Sequence, residues 1–368
     1  ALFVTYFPHL IAGPVLHHKE MMPQFKLAAT YRLGWENLSV GLTIFALGLF
    51  KKVILADGVA PYSNEVFDAV KDGNTVTFVE AWVGALAYSF QLYFDFSGYS
   101  DMAIGLSRIF GIWLPLNFNS PYKAHNIIDF WRRWHMTLSR FLRDYLYFAL
   151  GGNRRGAARR YVNLFLTMLL GGIWHGAGWT FFFWGALHGA FLIVNHAWHR
   201  LREWFGVGNS SGSGIAAAGS QILTFLAVCF AWVFFRADTL DSALAIINGL
   251  IGLNGVVLPK GLEGLIPSSA VAIIKSFNGD FGTLRFINGG LGGGNMVFGW
   301  IIGLWLLVWF GPNTQEIMGG FRPALEPVTV TASLRWRPST ISFLVVGGGL
   351  FYALIEMGKV SEFLYFQF

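Results

Sequence analysis

Apolar residues run in long blocks along this chain, and polar residues gather between them. Blocks at about 37–56, 78–95, 97–113, 161–175, 177–197, 216–235, 240–253, 296–311 and 340–357 read as membrane spans or long buried helices. Several are short or interrupted by Gly and Pro, and Gly98 breaks the run at 91–105. In a bilayer, irregular backbone survives only where it is buried in protein or lines a cavity. The pattern therefore predicts an all-α polytopic membrane protein with an enclosed polar interior. Loops are expected at 61–75, 209–214, 289–294 and 312–327. GGLGGG at 289–294 follows no strand pattern, so it reads as loop and not as a phosphate cradle. Neither a fixed-period repeat nor the inverted halves of many transporters is visible.

Composition strengthens the membrane reading. Of 368 residues 54% are hydrophobic and 12% charged, against about 25% charged in a typical soluble domain. Residues 1–368 are expected to form a single membrane-embedded domain. The opening ALFVTYFPHL has no signal-peptide pattern, and further spans are expected upstream of it. Cys229 is the single cysteine, which excludes intrachain disulfides and cysteine-based zinc sites.

The net charge of +6 reads as orientation in a membrane, not as affinity for nucleic acid, because the charges cluster beside apolar blocks. Nine of the 26 Lys and Arg residues fall within 120–160, which places that stretch in the cytoplasm; Arg200 and Arg202 mark a second cytoplasmic edge. From Tyr161, fourteen helical residues climb roughly 21 Å into a hydrocarbon core about 30 Å thick. They end at His175, where Gly176 and Gly178 let the chain turn and 179–197 return. His175 is thus expected deep in the membrane, at the tip of a helical hairpin; if instead the pair crosses fully and the basic edges mislead, it is intramembrane all the same.

A charged group at that depth is costly and usually functional. A neutral imidazole escapes the cost and presents the lone pair a general base needs. Gly171, Gly172, Gly176 and Gly178 would leave room for a substrate beside the ring. A packed histidine bonded to a backbone carbonyl is the competing reading. FWRRWH at 130–135 begins a stretch that reads as one amphipathic helix. Trp131, Trp134, His135, Leu138 and Leu142 share its apolar face, and Arg132, Arg133, Arg140, Arg143 and Asp144 fall opposite. Those arginines either anchor to anionic lipid or hold phosphates. In QLYFDFSGYSDMAIG, Asp95, Tyr99 and Asp101 read first as a polar network, with the basic helix supplying partners, and second as substrate-lining residues. His188 and His196 read as packed or interfacial, and His17 and His18 as membrane-edge residues. No third ligand stands at a recognisable spacing from His135 or His175, so no metal is expected.

DFWRRWHMTLSRFLRDYLY (129–147) and LFLTMLLGGIWHGAGWTFFFWGALHG (164–189) resemble the membrane-bound O-acyltransferases. The likeness is to the bacterial branch that acetylates alginate and D-alanylates teichoic acid. FPHLIAGPVLHH, LNFNSPY, LGGNRRG, PNTQEIM and the closing FLYFQF extend it along the chain. The resemblance implies a ring of tilted, partly broken helices around a central funnel. It implies His175 as the histidine of the thin layer between cytosolic and outer cavities, and His135 as the second, helix-borne one. It implies a thioester donor arriving from the cytoplasm, acetyl-CoA in acetylating members or a carrier-protein thioester in the D-alanyl branch. It also implies a periplasmic SGNH-hydrolase-like partner that passes the acyl group to a polysaccharide.

Residues and resemblance together predict a multi-pass enzyme of the bacterial inner membrane with no permanently bound cofactor. His175 is expected to act as base on an acceptor hydroxyl, and His135 or a nearby backbone N–H to stabilise the oxyanion. Arg132, Arg133, Arg140, Arg143, Arg154 and Arg155 are expected to receive the CoA phosphates. Trp131, Trp134, Trp174, Asp95, Tyr99 and Asp101 are expected along the substrate tunnel. A proton-coupled transporter with the histidines as relay, and a non-catalytic scaffold, are the alternatives.

Overall fold

A computed structural model describes residues 3–9, 13–206, 214–276, 279–287, 296–328 and 334–358. GGLGGG beyond its surroundings, NSSGSG up to Ser213 and the closing FLYFQF lie outside the described residues. In chain order the helices begin with α1 (His18–Phe25) and α2 (Trp35–Phe50). A π-turn at Lys51–Ala56 carries α2 directly into α3 (Asp57–Lys71). Next come α4 (Phe78–Ile109), α5 (Ile127–Trp131) and α6 (Met136–Phe141). The hairpin of α7 (Gly156–His175) and α8 (Trp179–Trp204) leads to α9 (Ile215–Arg236) and α10 (Leu240–Leu250). The described sheet is one parallel pair, β1 (Val256–Pro259) and β2 (Gly279–Gly282), with α11 (Ser268–Ser276) between them. The chain closes with α12 (Met296–Phe310), α13 (Thr314–Ile317) and α14 (Thr340–Glu356).

The architecture is overwhelmingly helical, but the blocks divide differently from the sequence expectation. Among the described residues two helices are long and apolar enough to cross a membrane: Trp35–Lys71 and Ile215–Arg236. α10, α12 and α14 are shorter apolar helices. The blocks at 78–95 and 97–113 are one unbroken helix of 32 residues, about 48 Å long at about 1.5 Å per residue. Gly98 does not break it. A Cβ there would stand 2.7 Å from the Gly48 carbonyl oxygen, and one at Gly105 would stand 2.6 Å from that of Gly41. Glycine instead lets α2 and α4 pack backbone to backbone.

The polar groups between these helices are paired. Lys51 Nζ lies 2.6 Å from Asp101, and Lys52 Nζ lies 2.7 Å from Asp57 and 2.9 Å from Asp95. Asp101 also accepts from Thr314 Oγ1 at 2.6 Å and Gln315 Nε2 at 2.8 Å. The cationic partners therefore come from the π-turn, not from the basic segment at 120–160. Placing two consecutive lysines toward α4 is a task for which a π-turn, with its extra residue, is suited.

Exposed apolar side chains cover α14 (Ile341, Phe343, Leu344, Phe351) and α9 (Ile215, Leu223). An apolar exterior of this extent suits lipid better than water.

Candidate active site

The FWRRWH segment is not one helix. Asn126 caps α5 by accepting the Asp129 backbone N–H, and α5 ends at Trp131. His135 then takes a left-handed conformation, φ 43° and ψ 51°, before α6 begins. Such a conformation costs a non-glycine residue about 1–3 kcal/mol and persists only when its surroundings impose it. Here the surroundings are Asn117. Its backbone oxygen accepts from Met136 N at 2.9 Å. Its side-chain Oδ1 accepts from Thr137 Oγ1 at 2.8 Å and meets His135 Nδ1 at 3.0 Å.

This network defines the tautomer. The Thr137 backbone N–H also points at Asn117 Oδ1. That group is only a donor, so the oxygen of the amide must face it. His135 Nδ1 therefore carries the proton, and Nε2 of the neutral ring is a lone pair. Nε2 is buried without a hydrogen-bond partner.

His175 comes from the other direction, as the last residue of α7. Its ring meets Trp184 at 5.3 Å and Phe235 at 5.2 Å, both edge to face. His135 and His175, forty residues apart, line one small chamber of about 30 Å³. Its other walls are Leu92, Phe96, Trp131, Trp134, Trp184, Trp232 and Phe235. Of the four glycines near His175, Gly172 and Gly176 serve close packing and do not make room for a substrate. Cβ atoms at Gly172 and Gly176 would run into Phe181, and Gly172 also packs on Gly185 of α8.

A second cavity, of about 560 Å³, lies on the side of the basic segment. Arg132, Arg140, Arg143, Arg160, His196 and Glu326 supply its charged or titratable lining, with Ser139, Thr137, Thr167 and Tyr147. Arg140 is a fork on Glu20, at 2.7 and 3.0 Å. Arg143 bonds Asp144 at 2.7 Å, and this hydrogen bond holds the Asp144 carboxyl below its usual range. Among the described residues Trp131 alone lines both cavities.

The remaining sequence candidates scatter. Arg133 pairs with Asp129 at 2.8 Å, and Arg154 and Arg155 are exposed in the turn before α7, so these three stand off the vestibule wall. Trp174 is 59% exposed on the outside of the hairpin. Asp95 and Asp101 belong to the lysine network, and Tyr99 packs half-buried on the larger core. Among the described residues no three His, Cys, Asp or Glu side chains converge as a metal would require.

Residues 1–235 match the family of membrane-bound O-acyltransferases. The chain belongs to that family. A Helicobacter pylori peptidoglycan O-acetyltransferase is 54% identical over 258 residues, covering 70% of this chain and 47% of the relative. A probable alginate O-acetylase of Azotobacter vinelandii is 49% identical over 249 residues, covering 66% and 46%. A teichoic acid D-alanyltransferase of Bacillus subtilis is 28% identical over 245 residues, covering 63% and 60%. This O-acyltransferase-family chain thus spans about half the length of the acetylating relatives it matches. Both cavities fall mainly in the matched region, with Glu326 the exception in the vestibule.

Several residues of this candidate site carry no signal in the sequence. Asn117 sits in LNFNSPY, where nothing in the spacing ties it to His135 eighteen residues on. Trp184, Trp232 and Phe235 read as ordinary apolar positions, and Arg160 as one more cytoplasmic charge. His188 is fully buried and accepts the Trp131 indole N–H at 3.2 Å.

Proposed function

We propose that this chain moves an acetyl group from cytoplasmic acetyl-CoA across the bacterial inner membrane, as a multi-pass enzyme, toward O-acetylation of an extracytoplasmic polysaccharide. The observation that carries the reading is the pairing of two cavities: an arginine-lined vestibule and, beyond Trp131, a chamber walled by both histidines. The vestibule suits a phosphate-bearing donor, since guanidinium groups recognise phosphate oxygens well. Only the acyl end then needs to enter hydrocarbon. The chamber's 30 Å³ accommodates two or three water-sized groups, at roughly 10–15 Å³ each. An acetyl group has that size. The added ammonium of D-alanyl fits it less well, which favours acetyl over a carrier-borne D-alanyl thioester.

His175 takes the proton from the acceptor hydroxyl, because α7 delivers it to the end of the hairpin remote from the basic segment, where an alcohol arrives. The hydroxyl oxygen bonds to the thioester carbon, the tetrahedral oxyanion collapses, the C–S bond breaks, and the thiolate recovers the proton from the imidazolium. His135 in its resting tautomer offers Nε2 as an acceptor, so it donates to an oxyanion only when protonated. A periplasmic partner of the SGNH-hydrolase type completes the transfer to the sugar, a step suggested by the resemblance of the bacterial branch. Peptidoglycan and alginate, the substrates in the relatives' names, are the acceptor classes to try first.

The test is release of CoA from labelled acetyl-CoA by the purified intact protein. Wild type is expected to turn the donor over, and His175→Ala to lose at least about 100-fold, the lower end of general-base contributions. Full turnover by His175→Ala would remove His175 from this role. Untouched acetyl-CoA with wild type would favour a transporter or scaffold.

A further inference from the structure

The transfer proposed above leaves His188 unused. It stands midway along α8 with its ring against Phe130, Trp131, Trp184 and Trp232. Because Nδ1 accepts the Trp131 indole N–H, the proton of the neutral ring sits on Nε2. That atom is buried without a hydrogen-bond partner. Burying an unpartnered donor is unfavourable, and an apolar ring would fill the same space without it. A buried polar group of this kind calls for a specific use.

Trp131 supplies one. It is the last residue of α5 and the shared wall of vestibule and chamber. Its side chain borders both spaces, so its orientation bears on whether they join. The hydrogen bond to His188 selects one orientation.

We propose that His188 is a positioning residue that holds the Trp131 indole as the partition between the arginine-lined vestibule and the histidine chamber. What crosses the partition rests on the acyl-transfer reading; the partition itself does not. A thioester arm entering from the vestibule displaces the indole. Between turnovers the closed indole keeps vestibule water out, so the thioester enters a chamber with little water in it, which limits the side reaction in which water attacks the thioester carbon to give acetate and free CoA.

The experiment reads access to the chamber directly. Leu92, a chamber wall residue, is replaced by Cys in a Cys229→Ala background of the intact protein. Its rate of reaction with a small charged methanethiosulfonate is measured in inside-out vesicles. His188→Leu is expected to speed labelling about tenfold, the scale on which one lost hydrogen bond shifts an equilibrium. His188→Asn, whose Oδ1 can occupy the place of Nδ1, is expected to restore the slow rate. Trp131→Phe should label as fast as His188→Leu, and the double variant no faster than either single one. Equal rates for His188→Leu and His188→Asn, or additive effects in the double variant, would overturn the proposal. Should His188→Leu fail to fold, Trp131→Phe carries the comparison, and a wild-type rate there overturns it. Labelling needs no acetyl-CoA, so it fails separately from the transfer reading. With acetyl-CoA present, the ratio of hydrolysis to transfer should rise in His188→Leu and return in His188→Asn.

Discussion

The His135 ring is held by the Asn117 side chain, whose Oδ1 lies 3.0 Å from His135 Nδ1. The same oxygen takes the Thr137 hydroxyl at 2.8 Å, and Thr137 Oγ1 in turn accepts the Val15 N–H at 3.0 Å. One amide thus sets the ring's tautomer and the strained backbone beneath it. Asn117→Ala is expected to lower kcat roughly 10–100-fold, as loss of about 1.4–3 kcal/mol of positioning would. Asn117→Asp, which keeps an acceptor, should retain more activity. Steady-state kinetics on the folded variants decide this, and wild-type kcat in Asn117→Ala would count against it.

The vestibule separates arginines that the sequence could not rank. Arg132 lines it, whereas Arg154 is exposed away from its wall. Arg132→Ala should raise KM for acetyl-CoA about tenfold with kcat little changed, on the scale of a hydrogen bond to a charged group. Arg154→Ala should leave both constants near wild type. Equal effects of the two would mean that general surface charge, not the vestibule, recruits the donor.

Asp144 offers a pH test in the same region. Its hydrogen bond from Arg143 depresses the folded-state value. The pair's contribution is therefore present above the unfolded carboxylate value of about 3.9 and lost as pH falls through the lower folded value. Donor affinity should gain no acid-side break from Asp144 near pH 5. Asp144→Asn, which frees Arg143, should lower KM for acetyl-CoA modestly at neutral pH, as donor titrations would show.

Removing one partner of the Lys51–Asp101 pair, whose side chains are 15% and 7% exposed, should be severe. Asp101→Asn is expected to cost about 3–5 kcal/mol, the scale for an uncompensated buried charge. The double change Lys51→Met with Asp101→Leu should cost less than Asp101→Asn alone. Thermal unfolding in detergent measures both.

Gly98→Leu should weaken the α2–α4 contact, because its Cβ would stand 2.7 Å from backbone rather than from a movable side chain. The expected cost is about 1–3 kcal/mol or more. Gly347→Leu on α14, where a Cβ meets nothing within 4 Å, is the control.

The hairpin carrying His175 was legible because its signals were local: a basic edge, a fixed helical rise, glycines at the turn and a second basic edge. The helical nature of the chain followed from its apolar blocks in the same way. Their division did not, since Gly98 reads identically whether a helix ends there or another helix packs there. The period of the apolar face in 131–142 pointed to one helix, but Asn117, brought in from outside the window, imposes a left-handed residue at His135. The spacing of Asp95 and Asp101 reads as a network, yet their lysine partners lie about forty to fifty residues upstream on a π-turn that no periodicity announces, and Thr314 and Gln315 reach Asp101 from far downstream. The partition at Trp131 was hidden for the same reason: its meaning comes from His188, fifty-seven residues away.

Cys229 is fully buried on α9, at a distance in sequence from every wall residue except Trp232 and Phe235. With its sulfur sealed in the core, this chain has no exposed thiol onto which an acyl group can be parked. An acyl-cysteine relay through Cys229 is therefore closed.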